Sequence, residues 1–429
     1  MNNLKTRFAV MNFLQFAVWG SYLTSMGTYL FSIGMEGHIG MFYAMQGIVS
    51  LFMPALMGIV ADRWVPAQKL LSFCHIIAAL FMAAAGYYGM TTYSIDGQCA
   101  TDFATLFTLY SCSVAFYMPT LALSNSVAYS GLERAHMDTV KVFPPIRTLG
   151  TIGFILMMWF VDLMGFQDNY NQFFACSGVG LLFGVYALTL PACPVSRAMK
   201  GGSFVEALGL NAFKLFKQKK LAIFFLFSML LGVSLQITNG FANSFITGFG
   251  TMTEYADTFG VKHANILISI SQISETLCIL LIPFVMKKFG IKRVMAIAMF
   301  AWVFRFGLFG LGNPGSGVWM FILSMIVYGV AFDFFNVSGS LYVNQEVDER
   351  MRSSAQGLFV LMTNGFGATI GTLSAQAVID KYVFAENVTD TVAGWQTSWF
   401  IFAAYALVVG LAFLIVFKDG KVKTEKLVR

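Results

Sequence analysis

Long apolar runs separated by short polar segments restrict the possible folds of this chain more than any other feature. Twelve runs can be counted, near 8–33, 38–61, 69–91, 102–131, 143–164, 171–190, 221–248, 263–286, 293–311, 318–344, 355–380 and 396–417. Because a helix rises about 1.5 Å per residue, roughly twenty apolar residues cross the hydrocarbon core of a bilayer. Charged residues make up only 11% of the chain, against roughly 25% in soluble domains. The sequence therefore predicts an all-α polytopic membrane protein with twelve transmembrane helices.

The distribution of basic residues predicts how these helices are oriented. Lys and Arg concentrate in the connections 62–68, 132–142, 191–220, 287–292 and 345–354 and in the tail, whereas the opposite set of connections holds only Lys262 and Lys381. Cytoplasmic loops of membrane proteins carry such an excess of Lys and Arg. We therefore expect both termini in the cytoplasm. The formal net charge of +6 then reflects membrane topology and does not indicate a nucleic-acid-binding surface.

The longest connection divides the chain into two parts with six predicted helices each. We expect an N-terminal six-helix bundle over 1–190, a cytoplasmic central loop over 191–220, a C-terminal six-helix bundle over 221–417 and a cytoplasmic tail over 418–429. Segments 58–64 and 284–293 follow the second and eighth predicted helices and resemble the loop motif of the major facilitator superfamily. Two similar halves around a site near the bilayer midplane are typical of such transporters.

A carboxylate lies in the middle of the tenth predicted helix. Asp333 is surrounded by apolar residues, where insertion scales assign a charged residue a cost of about 2.5–3.5 kcal/mol. Tyr328 and Phe332 precede it, four residues apart, and share one helix face. This face either lines a transport cavity or holds an acid that neutralises a neighbouring arginine.

The fifth predicted helix carries an arginine with polar and aromatic neighbours. Arg147, Thr151 and Phe154 share a face at positions i, i+4 and i+7. A guanidinium stays charged and presents a fork of donors suited to carbonyl oxygens or a carboxylate. Because Arg147 lies close to the start of the helix, it either lines the cavity or extends to the cytoplasmic interface.

Two helices of the second half carry polar stripes. The seventh contains Gln236 and Asn239, followed by Asn243, and the eighth contains Gln272 and Glu275, three residues apart. Amides beside an acid offer both donors and acceptors to a neutral polar solute. Hydrogen bonding between helices is the alternative interpretation of both stripes.

Arg305 in the ninth predicted helix completes the set of intramembrane charges. The two arginines, Arg147 and Arg305, match Glu275 and Asp333 in number. If none of these charges were paired, they would cost on the order of 10 kcal/mol. We therefore expect Arg305 and Asp333, on consecutive helices, to form a charge pair. The sequence contains no paired histidines, metal-spaced Cys/His cluster or nucleophile motif, so no metal, cofactor or enzymatic activity is predicted.

Several long strings resemble the bacterial nucleoside:proton symporters of the major facilitator superfamily, the family of the nucleoside and xanthosine permeases. The resemblance runs nearly from end to end of the chain. It includes FLQF and WGS in the first predicted helix, FMPALMGIVAD in the second, FPPIRTLGTIGF in the fifth, LQITN in the seventh, SQISE in the eighth and SMIVYGVAFDFFN in the tenth.

This resemblance implies proton-driven uptake of purine and pyrimidine nucleosides across the bacterial inner membrane by alternating access. The substrate-binding residues that it implies are Arg147, Thr151, Phe154, Gln236, Asn239, Gln272, Glu275, Tyr328 and Phe332. It also implies that either Asp333 or Glu275 carries the proton. The expected partners are nucleosides, protons and bilayer lipids, without nucleic acid, and the protein is expected to act as a monomer.

Other functions fit the same fold, because a fold does not determine its substrate. A symporter for sugars or other small neutral solutes, or a drug exporter, would also use aromatic and amide side chains. A nucleotide or organic-anion exchanger would need surplus positive charge in the cavity, which the two acids remove. A transporter-derived sensor would bind its solute without accumulating it.

Overall fold

The computed structural model describes residues 2–93, 100–193, 210–347 and 351–417, and their elements are helical. Most of the predicted central loop (194–209) and the predicted tail (418–429) therefore lie outside the described residues. The first part of the chain forms α1 (Asn2–Gly20), α2 (Met26–Ser32), α3 (Ile39–Ser50), α4 (Met53–Arg63), α5 (Ala67–Thr92), α6 (Phe103–Arg134), α7 (Thr139–Leu163) and α8 (Asn171–Ala187).

The second part of the chain has the same character. It forms α9 (Lys219–Leu235), α10 (Ile237–Gly248), α11 (Phe259–Lys262), α12 (Ala264–Leu311), α13 (Val318–Glu346), α14 (Arg352–Val360), α15 (Ala368–Ile379) and α16 (Thr391–Val416). Short 3₁₀ helices cover Glu36–His38, Leu210–Lys217 and Phe249–Thr251, and π-helical segments cover Leu361–Gly367 and Asp380–Phe384.

Nine helical segments within the described residues are long and apolar enough to cross a membrane. The longest, α12, has 48 residues and non-helical angles at Gly290 (φ 75°, ψ 167°), so it consists of two helices joined by a sharp turn. Two other helices, α1 with 19 residues and α8 with 17, fall near the lower limit of a span. The prediction of an all-α multi-pass membrane protein is confirmed, whereas the count of twelve helices stays a prediction.

Aspartates fix the start of two long helices. The side chain of Asp102 accepts a hydrogen bond from the backbone N–H of Thr105 at 2.9 Å, at the start of α6. Asp390 accepts one from the N–H of Ala393 at 2.9 Å, at the start of α16. These bonds satisfy donors that the first turn of a helix leaves free. The hydrogen bonds from Thr105 also hold the pKa of Asp102 below its usual value.

The molecule is described below by its two halves and its two faces. The first half is residues 2–193 and the second half is residues 210–417, following the predicted division of the chain. The terminal face is the face at which α1 begins and α16 ends, and the distal face is the opposite one. Within the second half, Phe417 at the end of α16 contacts the ring of Tyr342 near the end of α13, with centroids 5.3 Å apart.

The two halves pack closely against each other toward the distal face. There, α2 crosses α10, and a β-carbon at Gly27 would lie 2.3 Å from the carbonyl oxygen of Gly240, so this crossing requires glycine. The two halves are therefore in close contact at this crossing on the distal side.

Candidate functional site

The first long helix of each half is interrupted near its middle. A turn at residues 21–25 separates α1 from α2, and Gln236 separates α9 from α10. In α-helical membrane proteins, irregular backbone at this depth is tolerated where it is buried in protein or lines a cavity. Interruptions at corresponding positions of two halves point to a binding site between them. The polar stripe predicted on the seventh helix includes Gln236, whereas the turn at 21–25 was not predicted.

Two of the amides predicted for the site, Gln236 and Asn239, lie at the interruption in the second half. The Nδ2 atom of Asn239 donates to the Oε1 atom of Gln236 at 2.7 Å, and both side chains are half-buried. Gln272, on α12, is also half-buried. The bond between Asn239 and Gln236 fixes their relative orientation and leaves the amide nitrogen of Gln236 and the oxygen of Asn239 for other partners.

Arg147 faces the two acids of the second half across the interface between the halves. Its guanidinium interacts electrostatically with the carboxylates of Glu275 and Asp333. None of these carboxylate oxygens lies within 4.0 Å of it among the described ion pairs. The Cζ atom of Arg147 instead lies 3.8 Å from the centroid of the Phe16 ring, which holds the guanidinium by a cation–π contact. We call the space between Arg147, Glu275 and Asp333 the central region. One basic and two acidic groups thus surround it without contact.

The aromatic face predicted on α13 is formed. The rings of Tyr328 and Phe332 are parallel, with centroids 5.7 Å apart and an angle of 2° between their planes. The next residue, Asp333, is buried with 3% of its surface exposed. Within the part of the chain that the structure describes, its Oδ2 atom has no hydrogen-bond partner. A buried carboxylate oxygen of this kind is costly unless a proton, water or solute satisfies it.

The predicted pair between Arg305 and Asp333 is not formed, which corrects the sequence analysis. The buried guanidinium of Arg305 donates to the carbonyl oxygen of Ser324 at 2.8 Å, and the hydroxyl of Ser324 donates back to the carbonyl of Arg305 at 2.9 Å. Arg305 is therefore level with Ser324 on α13. Asp333 lies nine residues further along that helix, roughly 13 Å along the axis.

The remaining contacts of Arg305 hold the second half together. Its guanidinium donates to the hydroxyls of Thr238 in α10 at 3.2 Å and Ser271 in α12 at 3.4 Å. Its Cζ atom lies 4.5 Å from the centroid of the Tyr328 ring. Arg305 thus positions Tyr328 and connects three helices beside the central region.

Thr151 and Phe154 lie on the same helix as Arg147 but differ in their surroundings. Phe154 is buried and packs edge-on against Trp19, with ring centroids 6.4 Å apart. Trp19 in turn donates from its indole nitrogen to the Oε1 atom of Gln46 at 3.2 Å. Thr151 is half-buried. The structure places Phe154 within an aromatic cluster of the first half.

A network of amides and hydroxyls joins the halves on the distal side of this region. Thr28 of α2 donates to the Oδ1 atom of Asn243 at 2.6 Å, and Thr24 donates to the Oδ1 atom of Asn265 at 2.9 Å. Asn243 also donates to Asn265 at 2.7 Å. Asn243, a member of the predicted amide stripe, therefore forms hydrogen bonds between helices, as the alternative interpretation proposed.

Asp162 at the distal end of α7 extends this network. Its carboxylate lies 2.5 Å from the Nδ1 atom of His263 and accepts from the backbone N–H groups of Asn265 at 3.0 Å and Ile266 at 3.3 Å. Gln167 accepts from Asn243 at 3.0 Å. We define these contacts, together with those of Thr24 and Thr28, as the distal lock. Asp162 and His263 were not predicted from the sequence, because both lie at the ends of apolar runs, where polar residues are common.

The amino-acid sequence is similar to known transport proteins over nearly its whole length. A family model described as "Nucleoside H+ symporter" matches residues 1–422. The chain is 47% identical over 426 residues to the nucleoside permease NupG of Escherichia coli (strain K12), covering 98% of this chain and 97% of that protein. It is 45% identical to the xanthosine permease of the same organism, covering 97% and 96% of the two chains.

Solved structures show the same fold. The crystal structure of the nucleoside transporter NupG matches with a TM-score of 0.87 at 45% identity, covering 97% of this chain and 100% of that one. The inward-open xylose transporter XylE of E. coli matches with a TM-score of 0.68 at 15% identity, covering 98% of this chain and 97% of that one. The second match, at this low identity, supports the fold alone. The predicted major facilitator superfamily fold is confirmed, and the relatives are permeases and transporters, not enzymes.

Proposed function

The chain belongs to the nucleoside H+ symporter family, and from this premise we propose that it takes up nucleosides across the bacterial inner membrane by coupling their entry to protons. One observation carries the proposal for the site. Arg147 of the first half faces Glu275 and Asp333 of the second half without forming an ion pair. A solute bound between the halves would contact both halves. Protonation of either acid would remove one negative charge from the surroundings of Arg147.

The substrates we propose are purine and pyrimidine nucleosides. They are neutral, and each combines a flat base with a ribose that carries hydroxyls. The parallel rings of Tyr328 and Phe332 provide a surface for the base, because stacking on aromatic rings tolerates different bases. Gln236, Asn239 and Gln272, with Thr151, provide donors and acceptors for base edges and ribose hydroxyls.

We assign the proton to the pair of acids, with Asp333 as the carrier and Glu275 as a substrate ligand. The Oδ2 atom of Asp333 has no partner among the described residues, which supports this choice, since protonation would remove the cost of burying that oxygen as an anion. Arg147 completes the coupling because its attraction for Asp333 disappears when that acid is protonated. One proton crossing 100 mV releases roughly 2.3 kcal/mol, enough for about fiftyfold accumulation of a neutral solute.

Alternating access follows from the position of the distal lock. With the lock formed, the central region is closed toward the distal face, and opening requires these hydrogen bonds to break. We propose that both termini lie in the cytoplasm, so that the lock closes the outer side and the terminal face opens inward. The protein would then work as a monomer, each chain holding its own site between its two halves.

Uptake into cells tests this proposal. Cells that express the chain should accumulate labelled uridine and adenosine above the external concentration. A protonophore should abolish this accumulation, and excess unlabelled nucleoside, but not xylose, should compete with it. Competition by xylose and not by nucleosides would identify a sugar carrier instead. Binding without accumulation would identify a sensor.

A further inference from the structure

A basic segment at the terminal face is not used by the proposed transport mechanism. It contains Lys287, Lys288, Lys292 and Arg293, and it surrounds the turn at Gly290 that divides α12. Lys287, Lys288 and Arg293 are exposed. Among the described residues, none of these four takes part in an ion pair. The four positive charges are therefore available to an anionic partner.

An apolar groove begins at this basic segment. It has a volume of about 570 Å³ and runs between the second part of α12 and α13. Arg293 is the one charged residue among the described residues that line it, which are Phe289, Arg293, Ala296, Ile297, Phe300, Ala301, Phe304, Val327 and Val330. Several of these side chains remain exposed, among them Phe304 with 65% of its surface. Because α12 and α13 are both apolar enough to cross a membrane, an exposed groove between them faces lipid.

The length of the groove matches one leaflet of a bilayer. On the second part of α12, after Gly290, Arg293 and Phe304 mark the two ends of the groove and are eleven residues apart, which corresponds to roughly 16 Å along a helix. One leaflet contributes about half of the hydrocarbon thickness of roughly 30 Å. An acyl chain in the groove would reach from the headgroup level to the bilayer centre, with Arg293 at the headgroup.

We propose that this groove is a binding site for one anionic phospholipid from the leaflet at the terminal face. The acyl chain lies against the apolar lining, and the phosphate interacts with Arg293 and the neighbouring lysines. Juxtamembrane Lys and Arg residues each strengthen attraction to anionic lipid by about fivefold. Val327 and Val330 line the groove on the same helix that carries Tyr328 and Phe332. A lipid bound here therefore contacts the helix that presents the proposed substrate face.

Native mass spectrometry of the purified full-length chain tests the charge requirement. The protein is released from micelles containing equal amounts of phosphatidylglycerol and phosphatidylcholine with identical acyl chains. The wild-type chain should retain one phosphatidylglycerol in preference to phosphatidylcholine, and Arg293→Gln should reduce this preference about fivefold. Lys69→Gln is the matched control, because Lys69 is exposed at the start of α5 in the other half. It should leave the preference unchanged.

A second pair of variants tests the groove itself. Ile297→Trp places a large side chain in the groove and should reduce retention of both lipids, whereas Leu280→Trp, at an exposed position outside the groove, should not. Retention of phosphatidylglycerol that is equal in wild type, Arg293→Gln and Ile297→Trp would overturn the proposal. Displacement of the lipid by inorganic phosphate alone would also overturn it, since the site would then bind free anions and not a lipid.

Discussion

The carboxylate of Asp162 and the Nδ1 atom of His263 lie 2.5 Å apart and join the first half of the chain to the second at the distal face. The same carboxylate accepts two backbone N–H groups at the start of α12. Negative charge is favourable there because the first N–H groups of a helix have no partner within it. One side chain of α7 therefore holds the end of a helix in the other half.

The first prediction concerns this lock. Asp162→Ala removes three contacts between the halves and should favour the distal-open state, since each lost buried hydrogen bond costs roughly 1–3 kcal/mol. A cysteine introduced at the buried position Ser244 should then react faster with a membrane-impermeant maleimide. Asp168→Ala, at an exposed aspartate near the same face, is the control. Equal labelling rates in the two variants would show that Asp162 does not hold the distal face closed.

The second prediction concerns Arg305 as a structural residue. Arg305→Lys removes the planar fork that reaches Ser324, Ser271 and Thr238 and should lower the free energy of unfolding by about 1–3 kcal/mol. Because Arg305 and Asp333 are not in contact, its effect should add to that of Asp333→Asn within about 0.5 kcal/mol. Denaturant titrations of the two single variants and the double variant in micelles measure this. A coupling well above that value would mean that the two charges interact.

The third prediction concerns the amides. Asn239→Ala and Gln272→Ala should each weaken nucleoside binding by roughly 1–3 kcal/mol, because a buried polar partner on the solute is left unsatisfied. Asn239→Ala also releases Gln236 from its hydrogen bond. Calorimetry with purified protein gives the affinities, and Gln345→Ala, at an exposed amide near the end of α13, is the control. Unchanged affinity in folded variants would remove both residues from the site.

The fourth prediction concerns stacking. Phe332→Ala should weaken the binding of purine and pyrimidine nucleosides alike, by roughly 1–3 kcal/mol. Phe332→Tyr should weaken binding less because the aromatic ring is kept. Phe284→Ala, at a phenylalanine with 75% of its surface exposed, is the control. Competition binding with uridine and adenosine distinguishes the outcomes. A loss of affinity for only purine or only pyrimidine nucleosides would indicate that Phe332 recognises base edges and does not stack.

Much of the fold could be predicted because its signals are local. Apolar runs, the spacing of basic residues and stripes at helical periodicity can all be recognised within one segment. Tyr328 and Phe332 are neighbours because they lie four residues apart on α13, and Gln236 is close to Asn239 because it immediately precedes α10. Helical geometry alone determines such neighbours.

Contacts between helices were predicted less well, because they depend on the level of each residue in the bundle. Arg305 was paired with Asp333 on charge alone. Counting from the connection between α12 and α13 places Arg305 level with Ser324, where its hydrogen bonds are found. Predicting the distal lock from the sequence would require knowing how the two halves pack. Asp162, His263 and Thr24 come together only when the two halves are packed, and no periodicity in the sequence indicates that packing.

The central claim is that Asp333 carries the proton while Glu275 binds the solute. Asp333→Asn resembles a permanently protonated acid, so it should keep nucleoside binding and exchange but lose uphill uptake and its pH dependence. Glu275→Gln should instead weaken binding. The most direct measurement is labelled-uridine uptake by proteoliposomes with an imposed pH gradient, alongside uridine counterflow without one. The account predicts that Asp333→Asn retains counterflow and accumulates no uridine. Protonophore-sensitive accumulation by Asp333→Asn would contradict it and transfer the role of proton carrier to Glu275.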